Sequence, residues 1–166
     1  LESARNIVHN SAENFAEVSL ELGGKSPMVI FDDVDLDNAT NGVLLSIFSA
    51  SGQSCVAGSR LLVQEGIYEQ LLQRLASRAA DIVIGDPLDE NSQMGPLATH
   101  NQLALIERTV ADAVAKGATL VTGGQRPAHL DKGLYLQPTI VACPDQSFDV
   151  VRNEMFGPVV SVVKFS

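Results

Sequence analysis

Apolar positions along this chain switch between two periods, and the switches mark out its elements. Across residues 37–48, Ala39, Val43, Leu44 and Ile47 recur at helical spacing, with Leu36 just ahead of them. Asp35 stands where an N-cap belongs, and Asp37 lies near the favourable end of the helix dipole. A second helix is predicted over about 67–80, with Leu71, Leu72, Leu75 and Ala79 on one face. A third follows the N-cap candidate Thr99, carries Leu103, Ile106, Val110 and Val114 on one face, and stops at Lys116-Gly117. Residues 3–14 also read as helical. Residues 18–22 alternate like a strand. The short apolar run 28–31 is consistent with a buried parallel strand, 61–63 and 118–121 read as strands, and 82–84, closed by Gly85-Asp-Pro87, ends the unit of the second helix. Residues 134–141 are extended, and Pro138 points to an edge or a bulge there. Residues 148–153 allow one helical turn. Residues 158–165 form a last strand, apolar on both faces.

Strands that alternate with helices predict an α/β fold built on a mostly parallel sheet flanked by helices. A last strand this apolar would be an aggregation hazard as a free edge. The expectation is that further chain or a partner subunit covers it.

At 166 residues the size fits one domain with a real core. A net charge of −9 argues against nucleic-acid and anionic-membrane partners, which need clustered cations. No run of 18 apolar residues is present, which excludes a transmembrane helix of ordinary length, and the first residues lack the pattern of a secretory signal. Two cysteines make no disulfide framework, and a reducing, cytoplasmic setting is expected. His9, His100 and His129 stand apart from one another and from any Cys-x-x-Cys, so no metal site is expected.

Chemistry enters at Ser51-Gly-Gln-Ser-Cys-Val-Ala-Gly-Ser-Arg60, which separates the first predicted long helix from a strand. Small residues surround Cys55 with backbone freedom and open space. Taken alone, that loop holds either a buried structural cysteine or a reactive one. Cys143 precedes Pro144 and matches no catalytic pattern, so it reads as a packing or surface residue. Glu21, in Leu-Glu-Leu-Gly-Gly-Lys-Ser-Pro27, lies 34 residues before Cys55, and Glu154, in Glu-Met-Phe-Gly-Pro158, lies 99 residues after it. On composition alone Glu21 is a surface carboxylate, Glu154 a surface residue beside a core Phe156. Gly24-Lys25-Ser26 looks like the tail of a phosphate loop, but position 19 is Ser where that loop requires Gly.

Taken in order, the three motifs resemble the aldehyde dehydrogenase superfamily over essentially the whole chain. The resemblance implies NAD(P)-dependent oxidation of a small aldehyde to its acid. Cys55 would be the nucleophile that forms a thiohemiacetal and then a thioester, splitting one hard step into easier ones, and Glu21 the base that activates water for deacylation. Glu154 would accept hydrogen bonds from the nicotinamide ribose, Phe156 would pack near the nicotinamide ring, and Leu22 and Gln102 would add cofactor contacts. Ser49, Ser54 and Val56 would line the substrate pocket. The implied cofactor is NAD or NADP, and the longer family protein is expected to be a homo-oligomer. Residues 1–22 match the end of a cofactor-binding domain with its linking strand, and 23–166 an incomplete catalytic domain. The cofactor-binding domain's Gly-rich turn and the Asn of the oxyanion hole lie upstream of the matched segment, so the isolated chain is expected to have little or no turnover. Two alternatives are a non-catalytic module that only packs against partner chains and a CoA-acylating relative. The latter needs no water-activating Glu, so Glu21 favours hydrolysis to the acid.

Overall fold

A five-stranded sheet runs through the protein in the order β1-β2-β5-β4-β3, in a computed structural model that describes residues 2–166. The strands are β1 (Pro27–Ile30), β2 (Arg60–Gln64), β3 (Thr119–Thr122), β4 (Thr139–Ala142) and β5 (Val159–Phe165). All neighbouring pairs are parallel except β3 with β4, which is antiparallel. The helices are α1 (Glu2–Ser11), α2 (Leu36–Phe48), α3 (Tyr68–Ala80), α4 (His100–Ala115) and the short α5 (Asp149–Arg152).

The sheet is covered on both faces, as parallel sheets require. Strand alternation divides the core in two. Leu61, Val63, Ile140, Val160 and Val162 pack with Val43 and Ile47 of α2 and with Leu71 and Leu75 of α3. Val141, Val159 and Val163 point the other way and pack with Leu103, Ile106 and Val110 of α4 and with Val150 and Val151 of α5. Both long helices with predicted caps have them: Asp35 accepts the Asn38 N–H at 2.8 Å and Thr99 accepts the Gln102 N–H at 3.2 Å. Arg74 of α3 also pairs with Asp37 of α2 across the surface.

Three expectations change. The last strand, β5, is no edge: it lies between β2 and β4, and its two-sided apolar character is that of the central strand. The edges are β1 and β3. Residues 16–26 form no strand, and Val18, Leu20 and Leu22 are exposed, because no neighbouring strand among the described residues offers them a ladder. Pro138 marks neither an edge nor a bulge; it stands just before β4, which is paired on both sides, and the irregular register falls between Leu120 and Thr122 of β3. Residues 82–84 make only an isolated bridge, from Ile84 to Met94. Among the described residues no helix is long and apolar enough to cross a membrane, and no three His, Cys, Asp or Glu residues cluster as metal ligands.

Candidate active site

Each of the three motifs immediately precedes a parallel strand. Glu21 to Ser26 leads into β1, Ser51 to Ser59 into β2, and Glu154 to Pro158 into β5. These strands are neighbours, with Pro27 beside Arg60 and Arg60 beside Ser161 in register. Parallel neighbours about 4.8 Å apart must therefore deliver all three motifs to one edge of the sheet. That edge holds the strands' amino ends.

Close contacts tie the motifs together there. The Glu154 carboxylate packs against Gly23, where a Cβ would fall 2.0 Å from its Oε2. Glycine is required at Gly52, where a Cβ would fall 2.1 Å from the Gly157 carbonyl oxygen and φ is +68°. Thus the Glu21 segment touches the Glu154 carboxylate, and the cysteine loop touches the turn after Phe156. The side chain of Gln102 donates to the Met155 carbonyl, between Glu154 and Phe156. The loop itself is cross-tied. Ser51 Oγ donates to the Gly95 carbonyl at 2.9 Å, Gln53 Nε2 to the Pro96 carbonyl at 3.2 Å, and Ala98 N–H to Gln53 Oε1 at 2.8 Å. Gly58 N–H reaches Ser46 Oγ at 3.2 Å, closing the loop back on α2.

Backbone strain concentrates here. Of the four non-glycine residues with positive φ, three are Ala50, Ser51 and Phe156, beside the cysteine or in the Glu154 motif. Such residues cost on the order of 1–3 kcal/mol each and persist where surrounding contacts fix them. Cys55 is exposed, and its N–H donates to no group among the described residues. A buried structural role for Cys55 is therefore set aside. Phe156 is 40% exposed, which also removes the core reading for its ring, while its neighbour Met155 is buried. Cys143 is buried and its thiol is pushed up to about 11 by burial, with Lys25 pulling the other way. It is a packing cysteine.

Glu154 Oε1, Lys25 Nζ and Arg60 Nε are all buried without a hydrogen-bond partner. Burial, and then the Arg60 charge, lower the Lys25 amine from 10.5 to about 8, while Cys143 and Glu154 act in the opposite sense. Sequence reasoning missed Lys25 as part of this cluster. Its position one residue after the glycine pair that abuts Glu154 was the available signal.

Glu21 lies in exposed, irregular backbone two residues before Gly23. Ser54 is half-buried and Val56 exposed beside Cys55. Ser49 opens instead on a separate hollow of about 190 Å³ with Leu44, Leu45, Phe48, Ile82 and Gln93. Leu22 lines an apolar hollow of about 430 Å³ with Ala4, Arg5, Val8, His9 and Leu20, on the α1 side. A larger cavity, of about 550 Å³, lies between the end of α3 and the 122–129 segment and includes none of the candidate residues. The positions brought into mutual contact are thus Gly23, Gly52 and Gln102 with Glu154–Gly157; the Cys55 and Glu21 side chains lie on the adjoining loops without a direct contact to them, and Ser49 and Leu22 face elsewhere.

Residues 1–166 match the profile of the aldehyde dehydrogenase family. The chain is 49% identical over 166 residues to (Z)-2-((N-methylformamido)methylene)-5-hydroxybutyrolactone dehydrogenase of Acinetobacter baylyi, covering 99% of this chain and 34% of that one. It is 42% identical over 164 residues to betaine aldehyde dehydrogenase of Rhizobium leguminosarum, covering 98% and 34%. Among solved structures, betaine aldehyde dehydrogenase of Staphylococcus aureus in complex with NAD+ superposes with a TM-score of 0.93 at 40% identity, over 99% of this chain and 33% of that one. A Burkholderia cenocepacia protein described as an aldehyde dehydrogenase superposes with a TM-score of 0.94 at 41% identity, over 99% and 34%. The chain spans about a third of the length of these relatives. Its sequence over all 166 residues and its fold make it a member of the aldehyde dehydrogenase family.

Proposed function

We propose that this chain carries the nucleophile and part of the nicotinamide site of an NAD(P)-dependent enzyme that oxidises an aldehyde to a carboxylic acid. The observation that carries the reading is the meeting of three motifs at one sheet edge, with an exposed cysteine at the centre of one of them. Cys55 attacks the aldehyde carbonyl carbon to form a C–S bond. The Cys55 N–H donates to no group among the described residues and is available to the oxygen that becomes negative, as a donor of the kind that stabilises such charge. When bound, the nicotinamide cofactor supplies the two-electron oxidant. Glu21, exposed in the segment that leads into β1, activates the water that cleaves the thioester and returns Cys55 to its thiol state.

A cofactor fits the residues present. The buried Glu154 Oε1 has no donor among the described residues, and a carboxylate oxygen is a good acceptor for ribose hydroxyls. The part-exposed ring of Phe156, held on a backbone of positive φ, offers an apolar surface that excludes water. S. aureus betaine aldehyde dehydrogenase is described with NAD+ bound. In the same proposal, residues 1–22 close a cofactor-binding domain and 23–166 belong to the catalytic domain; both core clusters begin after residue 22. Ser54 and Val56 border the aldehyde.

The test is a chimera in which this chain replaces the matching third of the S. aureus enzyme. NAD reduction with betaine aldehyde should be lost in Cys55→Ser. In Glu21→Gln a thioester at Cys55 should accumulate in the intact-mass spectrum. A folded chimera whose activity survives Cys55→Ser contradicts the proposal.

A further inference from the structure

We infer that Gln53 is the positioning residue of the nucleophile, a side-chain staple that fixes the left-handed turn before Cys55 against the start of α4. The inference deepens the reading of Cys55 as nucleophile and rests on it. Ala50, Ser51 and Gly52 follow one another with φ of 49°, 56° and 68°. Three successive residues in the left-handed region are unfavourable for an L-chain, most of all at the two non-glycine positions. An external restraint must hold them, and the structure supplies it at the next residue.

Gln53 uses both ends of its amide. Nε2 donates to the Pro96 carbonyl at 3.2 Å and Oε1 accepts the Ala98 N–H at 2.8 Å. Ser51 adds a third tie, to the Gly95 carbonyl at 2.9 Å. The target is itself anchored, because Ala98 adjoins Thr99, the cap of α4. From the first turn of α4, Gln102 donates to the Met155 carbonyl, next to Glu154 and Phe156. The start of α4 is therefore a common spacer. One glutamine fastens the cysteine loop to it, and another fastens the Glu154–Phe156 segment. The distance between the nucleophile and that segment is set by these two side chains and the Gly52–Gly157 contact.

Positioning and thiol reactivity can be separated with two reagents on the 166-residue chain. With p-nitrophenyl acetate, the Cys55 sulfur attacks the ester carbonyl, a thioester forms, and p-nitrophenolate leaves. That reaction develops an oxyanion and needs a placed N–H donor. Alkylation by iodoacetamide displaces iodide and develops no oxyanion. Gln53→Met keeps length and removes both hydrogen bonds. Gln53→Glu keeps the acceptor for Ala98 but sets an anion against the Pro96 carbonyl, and serves where the Met variant does not fold. Misplacing a reacting group or its donor costs on the order of tenfold or more. Either folded variant should therefore lower Cys55 acylation about tenfold while alkylation stays within about twofold. Hydrogen exchange at the Ala98 amide should quicken in Gln53→Met. An unchanged ratio of the two rates, with or without a common fall in both, overturns the inference. If the unaltered chain is not acylated at Cys55, the two rates are compared in the S. aureus chimera, which restores the upstream Asn of the oxyanion hole; no acylation at Cys55 there overturns the nucleophile reading and this inference with it, while Ala98 exchange separately reports whether the staple exists.

Discussion

Replacing Lys25 by methionine should stabilise the protein, and by an amount that depends on pH. The Lys25 amine is lowered from 10.5 to about 8, chiefly by burial and then by Arg60. At about 1.4 kcal/mol per tenfold change in proton affinity, the ammonium is about 3 kcal/mol less favourable in the folded than in the unfolded chain. The folded value lies below the unfolded one. Below about pH 8 both states carry the proton and the cost is felt in full. Between about 8 and 10.5 the unfolded state binds more protons, so stability rises with pH, and above 10.5 the cost is gone. Lys25→Met lacks this dependence and keeps a side chain of similar length. Urea unfolding should show the variant more stable by about 3 kcal/mol near pH 7 and by about 1.5 kcal/mol near pH 9.5. Cys143, whose thiol feels Lys25, is pushed up to about 11 with Lys25 present and higher without it, so it stays protonated in both folded proteins over this range and cancels in the difference. A gap that stays constant across that range would refute the reasoning, and so would a variant less stable than the parent near pH 7.

The same cluster predicts that Glu154→Gln moves the Lys25 titration lower and Arg60→Met moves it higher, followed by NMR of the lysine amine. Asp35→Ala removes the acceptor of the Asn38 N–H and should cost about 1 kcal/mol in urea unfolding. Ile140→Ala, at a fully buried position in the central layer, should cost about 2–5 kcal/mol by the same measurement. Gly52→Ala sets a methyl into the Gly157 carbonyl at positive φ and should destabilise by at least about 2 kcal/mol, and should abolish Cys55 acylation in whatever remains folded.

Much of the fold was legible where one residue type did one job. Asp35 and Thr99 cap the helices they were expected to cap, because a short oxygen-bearing side chain before an apolar-periodic run has few other uses. The order of strands was not legible. The sequence of β5 is that of a strand buried on both faces, but nothing local says which strands flank it: β4 is the preceding strand in the chain, whereas β2 lies about a hundred residues earlier. Alternation misled at 18–22, where the pattern of a strand lacks a partner to pair with. At the candidate site, the motifs carried Cys55, Glu21, Glu154 and Phe156 in advance. Their meeting place was invisible until the parallel register set three strand starts side by side. Gln53 gave no signal of its own either. Its partners are backbone groups more than forty residues away, and a backbone partner leaves no trace in residue type.

Cys55 as the acyl-accepting nucleophile is tested most directly by intact-mass and peptide-mapped analysis, after p-nitrophenyl acetate, of the S. aureus chimera, which restores the upstream Asn of the oxyanion hole. One acetyl group should appear on Cys55, faster than on a cysteine in an unstructured peptide, should persist in Cys143→Ser, and should be absent from Cys55→Ser. Acetylation at Cys55 no faster than in the peptide, or label spread over lysines with Cys55 unmodified, would contradict the account.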